Sequence, residues 1–71
     1  MALGYAATGT DGDIVVDTVS STERAAMINW LAVAARFPIA RGMDDFAIRE
    51  HFARRAPAAG IKIARVQIIL A

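Results

Sequence analysis

The sequence predicts a small two-layer α+β domain, an antiparallel sheet of two or three strands with a two-helix hairpin on one face, in the order β-β-α-α-β. Three stretches predict it. Asp13 to Val19 alternates β-branched residues beyond an Asp-Gly turn, Ser20 to Phe37 has a long helical period, and a shorter helical pattern from Asp44 leads into an apolar run, Ile61 to Leu70. With 71 residues the chain forms one domain, near the size at which only about 60% of the unfolded surface can be buried. It has no cysteine, so no disulfide or thiolate metal site braces it; 56% of it is hydrophobic, and packing must hold it together.

Residues 2–9, ALGYAATG, precede Asp11-Gly12, the pair best suited to a type I′ hairpin turn, so a strand pair is expected around it. In the second of these strands Ile14 and Val16 are assigned to the core, because Asp17 on the other face would be costly there without a partner. Ser20 and Glu23 have capping-box spacing and set the start of the central helix. Winding that helix at about 100° per residue puts Met27, Ile28, Trp30, Leu31, Ala34 and Ala35 on one broad arc. Ala25, Asn29, Ala32 and Arg36 are left as a thin strip, low enough for a second helix to approach.

Phe37-Pro38 ends the first helical run, since the residue before proline is pushed out of the α region. A second helix opens at Asp44 as N-cap and stops at Pro57, with Ile48, Phe52 and Ala56 as its inner stripe and Phe46 and Ala53 beside them. Its charges pair at helical spacing, Asp45 with Arg49 and Glu50 with Arg54, which leaves Arg55 over. The last strand has two apolar faces. Lys62, Ala64, Val66, Ile68 and Leu70 form the expected core face; Ile61, Ile63, Arg65, Gln67 and Ile69 lie opposite, more apolar than a solvated sheet face.

A net charge of +1 hides an uneven split. Residues 1–35 carry one base against four acids, a net of −3, and residues 36–71 carry seven bases against three acids, a net of +4. Such asymmetry suits meeting a charged partner. The partner-binding residues it points to are Arg36, Arg41, Arg54, Arg55 and Arg65, joined by Ile63 and Ile69 from the outer strand face.

Chemistry-bearing constellations do not emerge. His51 has no nucleophile or partner acid at catalytic spacing, and Ser20 and Ser21 read as helix-start residues, so no catalytic residue is assigned. Asp11, Asp13 and Asp17 lack the glycine and distal glutamate of a calcium loop, and no metal or other cofactor is expected. Gly9-Thr10-Asp11-Gly12 matches a GXXG pattern but is acidic and sits in a hairpin, the wrong setting for clamping a nucleic-acid backbone. A helix-turn-helix would need a tighter turn than Phe37 to Met43, and a ribbon-helix-helix would press aspartates of its strand toward phosphates. No leader or membrane-spanning stretch is visible, so the expectation is a cytoplasmic protein that binds no membrane.

The run from Val16 to Leu31, VDTVSSTERAAMINWL, resembles a segment of small uncharacterised phage and prophage proteins of GC-rich bacteria, and the size and lack of motifs are similar to anti-CRISPR proteins. The resemblance implies a steric inhibitor that occupies a surface of a host nucleic-acid-handling complex, such as a CRISPR effector. It carries no residue roles. From the residues, then, the expectation is a non-enzymatic protein-binding module that forms a homodimer through its sheet or its alanine strip, and the alternative is a DNA- or RNA-binding protein using the arginines of the second half.

Overall fold

The computed structural model describes residues 2–15 and 17–68. Two strands, β1 (Ala2–Thr8) and β2 (Lys62–Ile68), form an antiparallel sheet, and between them run the helices α1 (Glu23–Asn29) and α2 (Asp45–Arg55). The fold is α+β. All seven residues of β2 pair with β1, from Ala2 opposite Ile68 to Thr8 opposite Lys62.

The second expected strand, Asp13 to Val19, is not regular. It touches the far edge of β1 at two isolated bridges, Ile14 with Thr8 and Ser20 with Tyr5. Between them the chain is three residues too long to stay in register, and the surplus bulges out through Asp17, whose φ of 75° lies in the left-handed region. The reason is Thr18. Its hydroxyl accepts from the Ala7 N–H at 3.0 Å and donates to the Val15 carbonyl at 2.7 Å, so a side chain takes the ladder position that a backbone group would fill. The turn before it is not type I′ either: Gly12 alone has a positive φ, 87°, after a turn closed by Gly12 N–H on the Gly9 carbonyl. That is the arrangement of a longer hairpin loop with a left-handed glycine.

Thr22, not Ser20, caps α1, accepting from Ala25 N–H at 3.1 Å. Ser20 is needed by the sheet: its backbone exchanges two 2.8 Å hydrogen bonds with Tyr5, and its hydroxyl accepts from the Asn29 amide. After seven residues α1 widens into a π-helical segment, Trp30–Ala34, closed by Ala35 N–H on the Trp30 carbonyl. In a π turn the residue stacked above Trp30 is the fifth on rather than the fourth. Accordingly Ala35 packs on the core while Ala34, expected on the inner arc, is exposed. Arg36 then takes a φ of 55°, and Phe37 N–H returns to the Leu31 carbonyl.

A 3₁₀ segment, Pro38–Gly42, leads to α2, which begins and ends as its sequence predicts. Asp44 accepts from Ala47 N–H, and Ile48, Phe52 and Ala56 are buried. Past a 3₁₀ turn, Pro57–Ala59, Gly60 at a φ of 72° lets Ile61 N–H reach the Ala56 carbonyl; a Cβ there would also stand 3.0 Å from Thr10. The start of α1 meets the start of α2 through Arg24 and Asp45, and Trp30, just past α1, meets Phe52 in the second half of α2. The helices therefore point the same way, where a hairpin would pair opposite ends, and residues 35–44 return along their length.

Trp30, Leu31, Met27, Ile48 and Phe52 form the core against Ala7 of β1. Trp30 meets Phe52 edge to face, ring centroids 5.5 Å apart, a geometry worth about 0.5–1.5 kcal/mol beyond burial. Ile61, Ile63 and Val15 pack on the same core. The face expected to close on the helices is thus the outward one. Lys62 and Ile14, both assigned inward by the alternation, are exposed, and Val16 and Leu70 lie outside the described residues.

Candidate interaction surfaces

Pairing across the sheet divides its residues between two faces. Ala7, Ile63 and Val15 lie toward the helices, and so does Ser20, since Asn29 of α1 holds its hydroxyl. Its neighbour Val19 therefore points outward, as does Ile14 opposite Thr8. The outward floor is the small-residue side of β1, Gly4, Ala6 and Thr8, all buried. Ile14, 48% exposed, and Val19, 44% exposed, rise on one side of that floor; Ala64 and Val66 of β2 rise on the other. The result is a shallow apolar trough whose floor is shut from water, so that its open surface is Ile14 and Val19 with the half-buried Ala64 and Val66.

The seven residues singled out from the sequence are not brought together. Ile63 is half-buried against the core beside Ala7, on the helix side of the sheet rather than its outer face, and Ile69 lies outside the described residues. Arg54 is paired with Glu50 at 2.7 Å. Arg55 lies over the Phe37 ring at 4.4 Å, with His51 tilted against the same ring at 4.9 Å, and Arg36 precedes Phe37 in the chain. Of the arginines, then, the structure brings Arg55 to the Phe37 ring, beside His51. Arg41 sits exposed on the 3₁₀ segment, and Arg65 on β2 extends over Tyr5, 5.9 Å from its ring.

At the starts of the helices the charges of the two halves meet in balanced pairs, which leave the net split between the halves as it was. Glu23 and Arg24 of α1 interleave with Asp45 and Arg49 of α2: Arg49 holds Glu23 and Asp45 at 3.0 Å each, and Arg24 reaches Asp45 at 3.6 Å. All four side chains are well exposed and screened by water, so these pairs add little stability and mainly fix how the helices align. The hydrogen bonds that Arg49 donates, to Asp45 first and to Glu23 second, raise its pKa above the ordinary arginine value. At the hairpin tip the Asp13 N–H donates to Asp11, which lowers the Asp11 pKa and ties that carboxylate into its own turn.

Phe46 and Ala53, placed beside the inner stripe of α2 by the sequence, are exposed, Phe46 by 78% in the first turn, and Leu3, which the sequence did not single out, is 61% exposed on β1. Phe46 follows Asp44 and Asp45 and sits three residues before Arg49; that polar company was the signal that it faces outward. Among the described residues there is no enclosed cavity, no cluster of potential metal ligands, and no helix long and apolar enough to cross a membrane. No protein family, curated protein or solved structure matches the chain.

Proposed function

We propose that this chain is a non-enzymatic protein-binding module that docks through the outward face of its sheet. One observation carries the reading: Ile14 and Val19 stand exposed on the wall of the trough, apolar side chains where a solvated sheet would show polar ones. A steric inhibitor of a host nucleic-acid-handling complex, as the resemblance implies, is that reading with a class of target named; a homodimer is the same reading with a second copy in the trough. A nucleic-acid-binding reading is favoured by Arg55 and His51 set against the Phe37 ring, where a base or phosphate would find both a ring and a cation.

One experiment separates them. The chain is immobilised and exposed to nuclease-treated and untreated extracts of a GC-rich bacterium, beside the Ile14→Lys/Val19→Lys variant. The module reading expects a protein retained from both extracts by the parent and lost by the variant. Retention of nucleic acid alone, abolished by Arg55→Ala and by raised salt, would replace it with the second reading.

A further inference from the structure

The two edges of the sheet are finished differently. On the far side of β1 the bulged segment blocks further pairing: it makes two bridges, turns left-handed at Asp17, and exposes Asp13 and Asp17. β2 is the reverse. It is a regular seven-residue strand with no proline or bulge, and no hydrogen bond among the described residues reaches the backbone edge it turns away from β1. Such an edge is a template for another strand.

Its charges select which strand. Lys62 and Arg65 are exposed, are the only charged residues of β2, and join no ion pair among the described residues. The carboxylates of α1 and α2 are committed elsewhere: Glu23 and Asp45 to Arg24 and Arg49, Glu50 to Arg54. A two-fold copy of β2 would set the same two cations against each other and bring no acid, so the charges oppose self-pairing at this edge.

Resting on the module reading and naming its partner more closely, we propose that the free edge of β2 receives an acidic extended segment of a partner protein, by strand addition. Lys62 and Arg65 are three residues apart and so project from opposite faces of the strand. The added strand answers them with carboxylates at the same spacing, one on each face. Its two intervening residues lie beside Ile63 and Ala64 and are apolar. The pattern is acid, apolar, apolar, acid.

The test uses the full chain and two short synthetic peptides with threonine flanks, one centred on Glu-Val-Val-Glu and the other on Lys-Val-Val-Lys. Amide exchange and amide chemical shifts of residues 62–68 are followed by NMR. The acidic peptide is expected to slow those β2 amides that face away from β1 by about tenfold or more at saturation, with an effect that weakens as salt rises. The basic peptide leaves them unchanged, and in the Lys62→Glu/Arg65→Glu variant the preference reverses. Failure of both peptides to slow exchange overturns the inference, as does an equal effect of both. Protection that grows with protein concentration and no peptide overturns it too, since a second copy then occupies the edge. If the peptides fail while Ile14→Lys/Val19→Lys still abolishes protein capture, the edge inference falls alone and the module reading stands.

Discussion

On the helix side of the sheet, Ala7, Val15 and Ile63 lie under Trp30, Leu31 and Phe52, and Ala7 and Leu31 are shut from water completely. On the outward side the small residues Ala6 and Thr8 are shut in as well, but Ile14 and Val19 of the bulged segment beside β1 keep nearly half their surface in water. Hydrophobicity is alike on the two sides, so it does not decide which is core. What decides is where the helices can reach, and their reach is short. Toward Leu3 and Gln67 even the helix side emerges from cover, and Leu3 is 61% exposed. A layer built from a short α1, a π turn and an eleven-residue α2 is too small to cover the sheet, and the uncovered remainder is what a partner can use.

The largest expected effect lies under the roof. Trp30→Ala removes a ring that is 5% exposed and loses the edge contact to Phe52, a change expected to cost about 3–5 kcal/mol. For a domain whose whole stability is on the order of 5 kcal/mol, the variant would be largely unfolded at room temperature. Urea titration followed by circular dichroism checks this; an unchanged midpoint would mean that the helix layer does not hold the sheet.

How much of this division was legible beforehand follows from the same residues. Helix α2 was readable because cap, stripe and stop agree: Asp44, then Ile48, Phe52 and Ala56, then Pro57. Trp30 was readable because a large aromatic within an apolar arc has nowhere else to go. The faces of β2 were not, since apolar residues populate both and each also carries polar ones, Lys62 on one and Arg65 and Gln67 on the other, all three exposed. Alternation from Asp13 to Val19 spelled a strand because propensity does not register a threonine hydroxyl replacing a backbone acceptor at Ala7. The partner residues fared worst. Charge listed along a chain does not say which arginines fold onto acids, as Arg54 does, or onto a ring, as Arg55 does.

An intermediate effect is expected at the seam between the two sides. Thr18 is 1% exposed, and its hydroxyl both satisfies Ala7 N–H and holds the bulge at Val15. Thr18→Val keeps the shape and deletes both bonds, stranding a buried donor, for an expected loss of about 1–3 kcal/mol. Thr18→Ser keeps the hydroxyl and should retain most of the stability. Exchange of the Ala7 amide reads this directly. Equal rates in the valine and serine variants would show that the hydroxyl is not the ladder element.

The smallest effect is expected on the uncovered side, and it is the sharpest check on the comparison. Val19→Lys places a charge on the trough wall, where the side chain already meets water and the flanking backbone is held by the Ser20 bridge to Tyr5. A long lysine stem can lie along the apolar floor with its ammonium in solvent, so the folded state loses little, within about 0.5 kcal/mol. The same charge on the roofed side, at Ile63, would have to be buried beside Ala7 and the core. Thermal melts of Val19→Lys at two protein concentrations decide the matter. An unchanged, concentration-independent transition confirms an open face on a monomer. A transition lowered by 2 kcal/mol or more, and lowered further on dilution, would mean that the trough is already filled by a second copy, because dissociation would then be part of unfolding.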